Sequence, residues 1–168
     1  MEVKCVLGVF DQPAMNEEGN TLTEQAFMEY FKSNMWMNQR DSHKILGGIT
    51  HLLRNDAGSE EGMGSSDELL KNGVITHYLK DAWISQDHKR VEGIIEVFDD
   101  LSLYSEDQKS DILQLLRLLK NGVHVGLSLV IYGDWDDQDG HLIHIYSIAG
   151  VDVTLDPSFV TTETIEVL

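Results

Sequence analysis

A single cysteine, Cys5, stands in the 168 residues, so no disulfide can form within the chain. That suits a reducing compartment rather than a disulfide-stapled secreted scaffold. Two prolines exclude Pro-rich linkers and extended repeats of that composition. Basic residues are scarce: 12 Lys and Arg stand against 29 Asp and Glu, for a net charge of −17. A surface of that sign argues against nucleic acid or an anionic lipid as partner. No apolar run approaches the roughly 18 residues of a membrane span, and the start, Met1-Glu2-Val3-Lys4-Cys5-Val6, lacks the pattern of a secretory signal. A soluble cytosolic protein is expected. There is no internal repeat or low-complexity tract, and the length fits one domain, residues 1–168.

What is present is mostly β-type sequence. Val3 to Phe10 predicts a first strand. A turn-rich loop follows, and Thr21 with Glu24 has capping-box spacing. Phe27, Tyr30 and Phe31 then predict a helix over about 22–34. Lys44 to Thr50 reads as a short strand leading to His51. Residues 55–67, rich in Gly, Ser and Glu, read as a flexible segment. Val74–Ser85 and Lys89–Phe98 predict a hairpin across Gln86-Asp87-His88. Ser105 and Gln108 have capping-box spacing before the helical repeat Ile112, Leu115, Leu116, Leu119, and Asn121-Gly122 supplies its stop. A serine-bearing strand follows, then an acidic turn from Asp134 to Gly140 and two further strands, His141–Ile148 and Gly150–Leu155. The segment from about 158 to 168 shows no element of its own and reads as a tail of a truncated or self-processed chain.

The serine strand carries the chemistry. Val123, Val125, Leu127, Leu129 and Ile131 form an apolar face, and His124, Gly126, Ser128, Val130 and Tyr132 share the other. Gly126 leaves space beside Ser128, the clearance a substrate carbonyl needs. The same pattern fits a buried serine bonded to backbone. The nucleophile elbow of α/β-hydrolases is absent, because the helix precedes the strand and the second glycine is missing. Asp152 sits between Val151 and Val153, so it either faces solvent on an edge strand or is a buried carboxylate in need of partners. His51 ends a strand and has the proton affinity of a general base near neutral pH. His141 and His144 lie three apart, but on a strand that spacing puts them on opposite faces, and one cysteine with no second histidine pair argues against a zinc site. The acidic turn fails the calcium-loop pattern, with Trp135 at the first ligand position when Gly140 is aligned to the loop glycine. Neither a metal nor a cofactor is expected.

The order His51, Ser128, Asp152 resembles that of the prohead (head-maturation) proteases of tailed bacteriophages, serine peptidases related to the herpesvirus assemblins. Four segments carry the resemblance: Phe10–Phe31, Gly47-Gly48-Ile49-Thr50-His51, Leu115–Ser128, and Ile148–Val153 running on to Asp156-Pro157-Ser158. It covers most of the chain through short motifs in a shared order. It implies an α+β fold with a mainly antiparallel, β-barrel-like, assemblin-like core flanked by helices. It also implies a Ser-His-Asp endopeptidase that works as an autocleaving zymogen inside the immature capsid, in the host cytoplasm. Its substrates would be the capsid scaffold and the major capsid protein, with cleavage after glutamate. Arg54, three residues past His51, is the expected cation for that glutamate, and Gly126 the expected opening beside the nucleophile. A homodimer or higher oligomer is expected, with no nucleic acid or membrane as partner. Two departures concern the pocket: Leu129 follows the serine where many relatives carry a small or polar residue, and the usual proline after the base is missing. Thr164-Ile165-Glu166 resembles a self-processing site. The alternative is a non-catalytic capsid-assembly or scaffold-binding module on the same fold.

Overall fold

The computed structural model describes residues 1–12, 20–49, 73–154 and 162–168. Strand β1 (Glu2–Val9) is followed by helices α1 (Glu24–Phe31) and α2 (Asn34–Asp41), then by β2 (Leu46–Gly48). The hairpin β3 (Ile75–Ile84) and β4 (Arg90–Val97) leads through a short 3-10 turn to helix α3 (Glu106–Lys120). Strands β5 (Gly126–Trp135), β6 (Leu142–Thr154) and β7 (Thr164–Val167) complete the described order.

Five strands form one antiparallel sheet in the order β2-β3-β4-β1-β7, and β5 pairs with β6 as a second, two-stranded sheet. β1 is an interior strand between β4 and β7, and Cys5, Val6, Leu7 and Val9 are all buried on it, so apolar residues run consecutively instead of alternating. The mixed, strand-dominated class agrees with expectation. The barrel does not: the described strands form no closed ladder. The two sheets are joined differently at their two margins. On one side residues 162–164 run between β1 and β5: Val6 N–H donates to Glu163 O and Leu127 N–H to Thr162 O, at 2.9 and 2.8 Å. On the other, contacts between β2, β3 and β6 that involve side chains stand where a ladder would close the ring.

Four local expectations are corrected. Thr23, not Thr21, caps α1, accepting from Ala26 N–H and donating to Leu142 O at 2.7 Å. Thr21 is held in a bridge to His141, which uses its main chain in a strand-like contact. The helix foreseen over 22–34 ends at Phe31, and a separate α2 starts where the Ser33 hydroxyl caps Trp36 N–H at 3.1 Å. Only Trp36 of α2 is buried, so its sequence shows no apolar stripe. The two strands expected over 141–155 are one 13-residue strand, β6, bent at bulges but never broken. The supposed tail carries β7, which pairs with β1 through Val3–Val167 and Lys4–Glu166. A four-residue edge strand is too short to show a period, and it gains its stability from the sheet it joins.

Helix α3 forms as its sequence dictates. Ser105 and Gln108 make the full capping box, and Ile112, Leu115, Leu116 and Leu119 are its buried face. Gly122 takes the left-handed conformation just past the C-cap, at φ 70°. Val123, assigned to the apolar face of the serine strand, precedes β5 and is exposed, because the strand begins only at Gly126.

Candidate active site

β5 and β6 bring Ser128 and Asp152 together as directly opposed residues of one antiparallel ladder. Opposed residues point to the same face, with Cα atoms about 4.5–5.5 Å apart. On the other face, Leu127, Val151 and Val153 are buried in the core. Both polar residues are buried too: Ser128 is 9% exposed and Asp152 0%. An exposed edge-strand aspartate is thereby excluded. Along this face of β5 exposure rises from buried Ser128 through half-buried Val130 to exposed Tyr132.

The register responsible is not that of a regular hairpin. β6 carries three bulges, with Ile143, Tyr146 and Ala149 as the extra residues. Extending the Trp135–Leu142 pairing without them would set Ala149 opposite Ser128. The bulges also replace two-residue alternation by a three-residue one: between Leu142 and Val151 the buried apolar side chains are Leu142, Ile145, Ile148 and Val151. Ile143 and Tyr146, which are exposed, are bulge residues.

Asp152 is met from β2. Its Oδ1 accepts the Gly48 N–H at 3.2 Å. The approach is close enough to demand glycine at position 47. A Cβ there would lie 1.8 Å from Val151 O and 2.2 Å from His77 Nε2. Gly47-Gly48 is therefore where two sheets touch through backbone.

His77, which the sequence does not mark out, completes the contact. It is fully buried, with Nε2 2.7 Å from Val151 O and Nδ1 2.8 Å from Thr76 Oγ1. A carbonyl only accepts, so Nε2 carries a hydrogen and donates to Val151 O, while Nδ1 lies against the Thr76 hydroxyl, a group that can donate or accept. Nε2 ties β3 to β6 one residue from Asp152, while Nδ1 is engaged by the neighbouring Thr76 on β3 itself. The one clue in the sequence is a histidine within a run of strand residues, Ile75-Thr76-His77-Tyr78, and that pattern alone does not separate it from a surface residue.

Of the other expected site residues, Gly126 begins β5 opposite Thr154 and makes a bridge to Glu163, so the segment before β7 runs beside it. His51 and Arg54, with the segment 55–67, lie outside the described residues. Gly48, the residue donating to Asp152, precedes His51 by three positions in the chain. The acidic turn uses its carboxylates locally. Asp136 Oδ1 accepts from Gln138 and Asp139 N–H, and Asp139 accepts from His141 N–H and pairs with its ring. Those bonds hold the Asp139 carboxyl below its usual range. Among the described residues no three His, Cys, Asp or Glu side chains are grouped as metal ligands, and no helix is long and apolar enough to cross a membrane. Compared with protein-family models, with curated proteins and with solved structures, the chain matches none.

Proposed function

We propose that the chain is a serine endopeptidase in which Ser128 is the nucleophile, His51 the general base and acid, and Asp152 the residue orienting His51. The observation that carries this reading is the buried Ser128–Asp152 pair, closed over by Gly48 just ahead of the histidine in sequence. A buried carboxylate opposite a serine is a costly arrangement that a purely structural ladder does not need. Three residues of chain span at most about 11 Å, which keeps His51 on a short tether to that pair.

In the proposed reaction the His51 ring accepts the Ser128 hydroxyl proton as Oγ attacks the scissile carbonyl. The imidazolium that forms is stabilised by Asp152 and returns the proton to the leaving amine. Water, deprotonated by the same ring, then releases the acyl group. Capsid scaffold and major capsid protein are the proposed substrates, within an immature phage capsid and in an oligomer of this chain. Cleavage after glutamate rests on Arg54, whose guanidinium can grip a carboxylate through two parallel hydrogen bonds. Self-processing after Glu166 would require β7 to leave β1, since Val167 is laddered to Val3 and Leu168 N–H donates to Glu2 O.

The low exposure of Ser128 favours a second reading, a non-catalytic assembly or scaffold-binding module. A serine-directed fluorophosphonate separates the two, because only a base-activated serine reacts fast. Co-expression with scaffold or capsid substrate gives the functional test. Ser128→Ala is expected to abolish processing, and undiminished processing by that variant removes Ser128 as nucleophile.

A further inference from the structure

The Ser128–Asp152 pairing depends on how β6 is bulged, and the last bulge before Asp152 is held from outside the hairpin. β5 pairs Ile131 with Ile148 and Val130 with Gly150, so Ala149 is the extra residue of the bulge, with no opposite number in the β5 register. The main chain of Ile148, next to that bulge, turns its polar groups towards the helices. Gln39 Nε2, on α2, donates to Ile148 O at 2.9 Å. Gln39 Oε1 accepts the Ile148 N–H at 3.3 Å. One side-chain amide thus takes both main-chain groups of one residue, as an adjoining strand would. Tyr30 of α1 reinforces it: its hydroxyl donates to Gln39 Oε1 and is itself 3.3 Å from Ile148 N. Burial pushes the Tyr30 hydroxyl up to about 12, so it stays a proton donor at neutral pH. The ring packs against Phe31 and Trp36, and Trp36 is the buried residue of α2.

We propose that Gln39, supported by Tyr30, is a positioning residue for the Ser128–Asp152 pair, acting as a one-residue strand on β6 that holds the Ala149 bulge. The proposal rests on the protease reading for its catalytic consequence, but its structural content stands apart. Were the bulge to relax while Ile131 stayed opposite Ile148, Val151 would move opposite Ser128. Asp152 would then turn to the other face of the hairpin, among apolar side chains, because strand faces alternate by one residue. The polar helix α2 thereby acquires a role that its single buried residue does not explain.

Cross-strand disulfides read the register without any need for catalysis. Ser128→Cys combined with Asp152→Cys places two thiols opposite one another, within the span a disulfide bridges. Ser128→Cys combined with Val151→Cys does so only after a slip. The native Cys5 is buried and does not compete. In the otherwise unaltered chain, mild oxidation is expected to close the 128–152 bridge and leave 128–151 open. Adding Gln39→Leu is expected to slow 128–152 closure at least fivefold and to raise 128–151 closure. Tyr30→Phe should act in the same direction but less. Should the leucine variant fail to fold, Gln39→Glu, which keeps the acceptor and loses the donor to Ile148 O, takes its place in the comparison. In a chain that retains Ser128 and Asp152, Gln39→Leu is expected to slow fluorophosphonate labelling about tenfold. Unchanged closure of 128–152 with 128–151 still open overturns the proposal. If the unaltered chain is never labelled at Ser128, the protease reading falls while the disulfide comparison still decides what Gln39 does.

Discussion

Gly47→Ala tests the contact on which the candidate site is built. An alanine Cβ would sit 1.8 Å from Val151 O and 2.2 Å from His77 Nε2, about 1.5 Å short of ordinary contact on each side. Neither neighbour can yield cheaply: one is backbone in the middle of β6, and the other is a buried ring tied at both nitrogens. β2 must therefore back away from β6. The Gly48 N–H to Asp152 bond and the His77 to Val151 bond are the first to weaken. A buried hydrogen bond to a carboxylate and a second to a carbonyl contribute together about 3 kcal/mol. For a chain of this size that is roughly 6–12 °C in Tm. Differential scanning calorimetry and urea melts read the loss. Gly122→Ala is the contrasting variant, because nothing lies within 4 Å of its Cβ and its cost is only that of a left-handed backbone, about 1–2 kcal/mol. If Gly47→Ala lowers Tm by less than about 3 °C, β2 does not meet β6 as closely as described, and the link from Gly48 to Asp152 goes with it. If it folds and keeps its Tm but no longer labels with a fluorophosphonate, the steric argument is wrong even though the site is sensitive.

Asp152→Asn keeps an oxygen for the Gly48 N–H and removes the charge; stability should change by less than about 1 kcal/mol, while turnover should fall about 10³–10⁴-fold. Equal rates for Asn and Asp at this position mean that another group orients His51. Asp152→Ala removes the acceptor and should cost about 1–3 kcal/mol in urea unfolding, with no loss counting against the Gly48 bond. Tyr30 and Tyr104 are both raised by burial from 10.0 to about 12. Because the folded-state values are the higher ones, their contribution to stability is fully present below about pH 10 and is lost as pH rises through about 12. Urea midpoints should fall across that window, less steeply in Tyr30→Phe, and a flat profile would show that neither hydroxyl is held neutral by the fold.

Several parts of this architecture are local and were legible as sequence. The capping box at Ser105 and Gln108, the apolar face of α3 and the glycine at 122 follow from one turn of helix and its ends. The β3–β4 hairpin follows from two β-rich runs and a polar turn, with His88 taking the left-handed position. Ser128 and Asp152 could be singled out as polar residues in apolar strands. That they oppose one another could not, because 24 positions separate them and three bulges stand between the turn and the pair. Simple alternation counts two residues per repeat, and β6 spends three.

The composition, both ends of α3 and the β3–β4 hairpin were determined by the chain itself, because capping, backbone conformation and apolar period act over a few residues. The tertiary structure alone decided three things. It made β7 a strand, because four residues gain a ladder only when β1 lies alongside. It seated α2 against β6 although only Trp36 of that helix is buried, because Gln39 meets Ile148 more than a hundred residues away. And it brought a serine to a buried aspartate through the register of β6, which is set by bulges and by partners outside the hairpin, so that no stretch of sequence read by itself contains it.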